Sequence, residues 1–315
     1  MKKRKTEQNH DLLYRYGAAI ALALFTVFNC IFTRNFVSVT TFWNLLVQST
    51  TILMLAMGMT LVIATGGIDI SVGSTMALSA IVLALCVSKG HIAAGVILAV
   101  LLAAAGGLFA GTLVARFRIL PMVATLSLQY MLRGIAKVVV DGYRISCMND
   151  AFTGFARIRI GGVVPIQVLI IVLTVAVMYI VVNRMSFGAK LEAYGNNPAA
   201  ARISGINTMA LCTFCFVLCS IFASFAGILE TARVTSCDPA TMGYQLETDA
   251  IAAVVVGGTP VTGGKPNILG TFCGAVLLQM VTIMVNMHNI TYSYSLMIKT
   301  VIIVAAVYLH RRGHR

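Results

Sequence analysis

Long apolar runs separated by short polar gaps make up nearly the whole chain. No Asp, Glu, Lys or Arg occurs in 16–33, 35–68, 70–88, 90–115, 160–183, 203–229 or 266–298. A run at 119–140 is interrupted only near its end, by Arg133 and Lys137, and 300–309 continues the apolar pattern after Lys299. A bilayer core about 30 Å thick is spanned by roughly 20 apolar residues of helix. The pattern therefore predicts membrane helices near 16–33, 45–65, 70–88, 92–115, 120–140, 164–183, 208–230, 246–258, 267–287 and 291–309. That is an all-α polytopic protein of about ten crossings. The eighth helix is the weakest, being shorter than a full span and rich in glycine.

Composition agrees with this reading and excludes alternatives. Of 315 residues, 59% are hydrophobic and 10% charged, against about 25% charged in a soluble domain. Mean hydropathy is +0.91. Too few polar groups exist to cover a water-facing surface, so a soluble enzyme and a disordered chain are both excluded. The net charge of +13 would suggest nucleic acid in a soluble protein. Here the charges sit in the gaps between apolar runs and act as topology determinants beside lipid headgroups, so no nucleic-acid partner is expected.

Ten crossings place both termini on one side. With the termini inside, the inner segments hold Lys2, Lys3, Arg4, Lys5, Arg15, Arg116, Arg118, Arg184, Lys190, Arg202, Lys265, Arg311, Arg312 and Arg315. The outer loops hold only Arg34, Lys89, Arg144, Arg157, Arg159 and Arg233. The positive-inside rule then predicts cytoplasmic termini. No convincing small-residue cleavage site follows the first apolar run, so it reads as a retained helix. The organisation expected is one transmembrane domain over 1–315, with basic tails at 1–15 and 310–315 and a cytoplasmic loop at 184–207.

Two glycine motifs echo each other. Gly66-Gly67-Ile68-Asp69-Ile70-Ser71-Val72-Gly73-Ser74 and Gly257-Gly258-Thr259-Pro260-Val261-Thr262-Gly263-Gly264-Lys265 share the pattern G-G-x-x-x-[S/T]-x-G-x. Both lie at the inner end of an outside-to-inside helix, which implies a parallel repeat about an axis along the membrane normal. The expected halves are helices two to five and seven to ten. Glycine there allows positive φ and close backbone approach, and non-helical backbone at membrane depth must be buried or line a wet cavity. Thr65, Gly66, Gly67, Asp69, Ser71, Gly257, Gly258 and Thr259 are the candidate translocation-path residues.

The chemical inventory is otherwise sparse. The chain has no Walker-type phosphate loop, H-E-x-x-H or G-x-S-x-G, so no catalytic residue, cofactor or metal site is expected. Cys212, Cys215 and Cys219 follow one helical face, and structural zinc usually takes four ligands; a core stripe is the expectation. Cys147 and Cys237 both fall in outer loops, which leaves a disulfide between them open. Ion-coupled transporters bury ionisable groups in mid-membrane, and here Lys299 and Asp69 are nearly alone. Thr60, Thr65, Gln129, Gln279 and Asn286 offer hydroxyl and amide partners to a neutral polar solute instead.

Against this background the segment Gly58-Met59-Thr60-Leu61-Val62-Ile63-Ala64-Thr65-Gly66-Gly67-Ile68-Asp69-Ile70-Ser71-Val72-Gly73-Ser74 closely resembles the hallmark of ribose/xylose/arabinose-type sugar permeases of ABC importers. Three further blocks are similar to that family. They are Pro121 to Leu126 leading to Arg133-Gly134-Ile135-Ala136, the loop Tyr194 to Asn207, and Glu247 to Ala253 continuing into the second glycine motif. Departures are Thr248 in place of an apolar residue, Pro260 where Ser is common, Asn196 in place of a second Gly, and Ala199 in place of an acid. The resemblance implies a non-catalytic permease subunit in the bacterial cell membrane. Its implied partners are a cytoplasmic ABC ATPase, an extracytoplasmic solute-binding protein, and a second permease copy or paralogue. Nucleoside and branched-chain amino acid permeases are the nearest alternatives. An autonomous secondary transporter and a membrane enzyme are the readings from other classes.

The loop 184–207 carries the best local helix signal. Asn197 is a good N-cap, Pro198 suits N1, Ala199 to Ala201 are strong helix formers, and Gly205 suits the C′ position. This predicts a short helix over 198–204, too short to span a bilayer or to stand alone in water. The resemblance makes it the helix that couples to the ATPase, with Glu192, Gly195, Asn197, Pro198, Ala200, Ala201, Arg202 and Gly205 as candidates. The alternative is a helix resting on its own permease.

Overall fold

A computed structural model describes the backbone over residues 2–313; the side-chain surroundings of 1–16, Tyr292 and 305–315 lie outside the described residues. The basic side chains of both expected tails fall in that undescribed set.

The helices are α1 (Lys2–Phe32), α2 (Val39–Ala64), α3 (Val72–Ser88), α4 (Ile92–Ala115), α5 (Pro121–Val139), α6 (Asp150–Arg157), α7 (Ile166–Asn183), α8 (Ser186–Asn196), α9 (Pro198–Ile203), α10 (Thr208–Val234), α11 (Leu246–Val256), α12 (Ile268–Met287) and α13 (Tyr292–Gly313). Each predicted apolar span is a helix. Five of them, α2, α4, α7, α10 and α12, are long and apolar enough to cross a membrane by length and composition. The backbone of α1 continues through the basic segment rather than starting after it. Four two-residue strands complete the fold: β1 (Ile145–Ser146), β2 (Arg159–Ile160), β3 (Val164–Pro165) and β4 (Ser236–Cys237). β1 pairs antiparallel with β4, and β2 with β3.

α2 is the centre of the molecule. A helix that is apolar all round belongs in the interior, and from Ser49 to Ala64 every α2 residue is buried. Its neighbours are α10, α12, α11 and α7. Ser38 caps α2 by accepting from Thr41 N at 3.0 Å. In contrast α4 turns Ile97, Leu101, Leu108 and Phe109 outward, the surface a lipid-facing helix presents.

Small residues set the closest helix contacts, as expected where no hydrophobic drive separates helix from lipid. A Cβ on Gly107 would lie 2.7 Å from Phe216 O, one on Gly111 2.8 Å from Thr213 Cα, and one on Gly58 2.7 Å from Cys219 Cα. Cys212, Cys215 and Cys219 are buried, and Cys219 packs on Gly58. All eight cysteines are free thiols, including Cys147 and Cys237 beside the β1–β4 pair.

The expected halves need correcting. The first glycine break joins α2 to α3 and the second joins α11 to α12. The echo therefore matches α2 with α11 and α3 with α12, whereas halves of helices two to five and seven to ten would match α2 with α10. The two motifs fix the offset at six of the predicted apolar helices, from α2 to α11.

Candidate functional site

The site is a junction of three backbone segments: the first break (65–71), the second break (257–267), and the end of α8. At the first break Thr65 closes α2, its Oγ1 donating to Val62 O at 2.6 Å. Gly66 takes φ +80°, a conformation costly for any residue with a Cβ. Asp69 is fully buried. Its Oδ1 accepts from Ser71 N at 2.9 Å and from Ser71 Oγ at 2.6 Å, a local side-chain turn that holds the chain between two helices. Oδ2 has no partner among the described residues. Thr125, on α5, fastens this break from the side: its Oγ1 accepts from Ile70 N at 3.1 Å and donates to Pro121 O at 2.9 Å.

The second break is built differently. Gly258 takes φ +93°. Gly257 packs against the start of α12, where a Cβ would fall 2.5 Å from both Gly270 C and Thr271 N. Thr259 Oγ1 accepts from Asn267 N at 3.0 Å. Asn267 in turn donates Nδ2 to Gly257 O at 2.9 Å and caps α12 by accepting from Gly270 N at 3.0 Å. One asparagine thus closes the loop and starts the next helix. Thr60 on α2 meets Thr271 on α12 at 2.9 Å.

The two breaks lie against each other. Gly264 N donates to Ala64 O at 3.0 Å, which ties the second break to the last turn of α2. A Cβ on Gly66 would lie 3.3 Å from Thr262 O, and one on Gly263 3.0 Å from Gly66 N. Gly195 sits on top of both: a Cβ there would overlap Ala64 O and Gly264 N and lie 2.9 Å from Gly264 Cα. Four glycines from three distant parts of the sequence therefore bring bare backbone into contact with bare backbone.

α8 leads directly to α9. Asn197 Oδ1 accepts from Ala199 N and Ala200 N, both at 3.0 Å. At the far end Gly205, with φ +84°, closes a Schellman motif: Gly205 N donates to Arg202 O and Ile206 N to Ala201 O, each at 3.1 Å. The helix is Pro198–Ile203, one residue shorter than predicted. Only Ala201 is buried in it, and Ile203 is 88% exposed. A helix this short is marginal by itself in water. Glu192 is half-buried and Arg202 exposed; neither has an ion pair among the described residues.

Of the residues expected of the two sites, those of the two breaks and Gly195 come together at this junction, whereas Glu192 lies earlier on α8 and Asn197 to Gly205 belong to α9 and its ends, with nothing within 4 Å of a Cβ on Gly205. Gly67 differs from its neighbours: its φ is not positive, and a Cβ there would meet Thr65 Oγ1 and Val62 Cγ1 at an ordinary 3.4 Å. Of the polar residues expected for the path, Thr60 is satisfied within the core, and Gln279 donates to Gln48 at 3.3 Å. Lys299, the ionisable residue noted within a span, pairs with Asp249 at 2.7 Å and joins α13 to α11. Thr125 and Asn267 escaped the sequence reading. Thr125 lay inside a recognised block, and Asn267 before an apolar run was a readable N-cap signal.

Residues 41–307 match the family described as branched-chain amino acid transport system / permease component. The chain is 36% identical over 305 residues to the ribose import permease protein RbsC of Escherichia coli K12, covering 94% of this chain and 93% of the relative. It is 33% identical over 320 residues to RbsC of Bacillus subtilis, covering 98% and 97%. It is also 36% identical over 239 residues to the galactofuranose transporter permease protein YtfT of E. coli K12, covering 75% and 69%. No solved structure matches.

Proposed function

The chain belongs to the branched-chain amino acid transport system permease family, and from that premise we propose that it is the pore subunit of an ATP-driven importer of a monosaccharide or similar small polar solute. It is a multi-pass protein of the bacterial cell membrane. The named substrates of its relatives, ribose and galactofuranose, support the sugar class. Ten crossings with cytoplasmic termini follow from the charge asymmetry, and put α8 and α9 in the cytoplasm as the coupling loop of a single transmembrane domain. The proposed partners are an ABC ATPase beneath α9, a binding protein at the outer face, and a second permease copy or paralogue across the pore. The ATPase subunit performs the hydrolysis; this chain performs none.

One observation carries the mechanism. α9 is largely exposed, while the helix leading into it rests through Gly195 on both glycine breaks. A push on α9 is delivered to the ends of α2 and α11 through backbone contacts that cannot compress, because interiors are close-packed. Movement of those ends opens and closes the inner mouth of the path, beside which the buried side chains of Asp69, Ser71 and Thr259 hold the two breaks in shape. The test is uptake of labelled ribose and related monosaccharides into proteoliposomes containing this chain, its ATPase and its binding protein. Uptake should require ATP and all three components. Uptake that persists without the ATPase would replace this reading with a secondary transporter.

A further inference from the structure

A cavity of about 370 Å³ lies at the outer end of α10, away from the junction. Three restraints give it fixed walls. The β1–β4 pair clamps the loop after α5 to the loop after α10, and Arg144 donates across the clamp to Ser236 Oγ. The segment 235–245 then folds back into the protein, where Gly243 meets Gly73 in the first turn of α3 backbone to backbone. Arg133 of α5 fastens this fold by donating Nη1 to Pro239 O at 3.0 Å and to Met242 O at 2.6 Å.

The lining has the chemistry of a polyol site. Glu230 and Asp238 supply carboxylates, Arg144 a guanidinium, Thr241 a hydroxyl, and Tyr244 a ring that is 66% exposed; Met76 provides an apolar floor. Glu230 is oriented by Thr51 at 2.7 Å and Arg233 at 2.5 Å. Asp238 Oδ1 accepts from Ala240 N at 2.7 Å, while its Oδ2 has no protein partner among the described residues. Ligand pockets of about 300–1,000 Å³ that combine apolar walls with a few fixed polar groups suit small molecules. An aromatic ring takes the C–H face of a sugar, and carboxylates with a guanidinium take its hydroxyls as charge-assisted bonds. Glu230 is paired with Arg233 and Asp238 faces Arg144, so the lining carries no surplus positive charge for a phosphorylated or acidic solute.

The cavity is also connected to the junction. α11 begins at its wall with Leu246 and ends at Gly257 and Gly258. Its 11 residues extend about 16 Å, a half-span, and half-helices whose N-termini face a substrate are a recurring device in transporters.

We propose that this cavity is the acceptance site for a neutral monosaccharide on the outer side of the permease, and that α11 links it to the coupling junction. The proposal rests on the importer reading above and adds the site to it. A second cavity of about 320 Å³, between α2 and α12 and lined by Asn44, Gln48 and Asn286, has no charged group and no half-helix, and serves as the control.

The experiment uses the full chain in lipid nanodiscs, with Thr241→Cys or, as control, Asn44→Cys introduced alongside Cys30→Ser. Labelling by an impermeant maleimide is timed with and without D-ribose, D-allose or D-fructose. The same variants are assayed for uptake in the assembled importer. A transported sugar at ten times its half-saturating concentration should slow labelling of the Thr241→Cys variant about tenfold, as the free site is depleted, and leave the Asn44→Cys variant unchanged. Asp238→Asn and Tyr244→Ala should weaken that protection while each protein remains monodisperse. Uptake without protection at Thr241→Cys, or protection only at Asn44→Cys, overturns this proposal and leaves the importer reading standing. Failure of the unmodified importer to take up any sugar overturns the importer reading itself.

Discussion

Replacing Gly195 by alanine isolates the coupling contact. In a free helix the change would be favourable by about 1 kcal/mol. Here the added methyl would overlap Ala64 O and Gly264 N and approach Gly264 Cα to 2.9 Å, against the roughly 3.5–4.0 Å of an optimal carbon contact. None of these is a side chain that can rotate away. α8 must withdraw by about 1 Å, and overpacking of this kind costs roughly 1–3 kcal/mol. The methyl also presses on both ends of the Ala64–Gly264 hydrogen bond at 3.0 Å, worth about 0.5–1.5 kcal/mol. After the helix gain is subtracted, about 1–3 kcal/mol remains against the closed junction, and each 1.4 kcal/mol is about tenfold in a population. Uptake into proteoliposomes should fall about tenfold or more. Binding of the ATPase should persist, since the caps of α9 are untouched. Gly134→Ala, which meets nothing within 4 Å, should transport normally. Wild-type uptake by the Gly195→Ala variant would refute the argument that this contact transmits force.

Other substitutions separate the elements of the site. Gly258→Ala, at φ +93°, should cost about 1–3 kcal/mol of local strain and impair uptake, whereas Gly67→Ala should be nearly silent; equal uptake by the two would remove backbone conformation as the reason for the break. Asn197→Ala should lose the cap of α9, about 1 kcal/mol, and weaken co-purification of the ATPase while membrane insertion is retained. Lys299→Met leaves Asp249 without its partner in a largely buried setting, and such broken pairs cost about 3–5 kcal/mol; the detergent-solubilised protein should melt earlier, and the Lys299→Met, Asp249→Leu double variant should recover part of the loss. Reporter fusions at His10, Lys190 and Gly313 should all read as cytoplasmic and one at Asp150 as external; an external signal at Lys190 would overturn the ten-crossing topology.

The parts of the fold written in the sequence are those fixed by local rules. Apolar runs free of charge located the long helices, and Asn197, Pro198 and Gly205 marked the ends of α9 to within one residue, because caps are local hydrogen-bond chemistry. α8 was hidden, since its sequence Ser186–Asn196 is neither strongly apolar nor sharply capped. The meeting of Gly66, Gly195, Gly263 and Gly264 was not legible either: it depends on contacts between segments far apart in sequence, for which a glycine gives no pairing signal. The outer cavity was missed for a different reason. Arg144, Glu230 and Asp238 read singly as headgroup-facing charges, and only the backward fold of 235–245, held by Arg133, gathers them around one space.

The central claim is that nucleotide events at the ATPase reach the glycine junction through α9 and α8. Thr262 is exposed in the second break beside Gly66, so the labelling rate of a Thr262→Cys variant reads the junction directly in the assembled importer. Addition of a non-hydrolysable ATP analogue should change that rate. The change should disappear when Ala200→Glu blocks the exposed face of α9, or when Gly195→Ala lifts α8 from the junction. A labelling rate indifferent to nucleotide in the otherwise unaltered protein, or one that responds equally in all three backgrounds, would contradict the account.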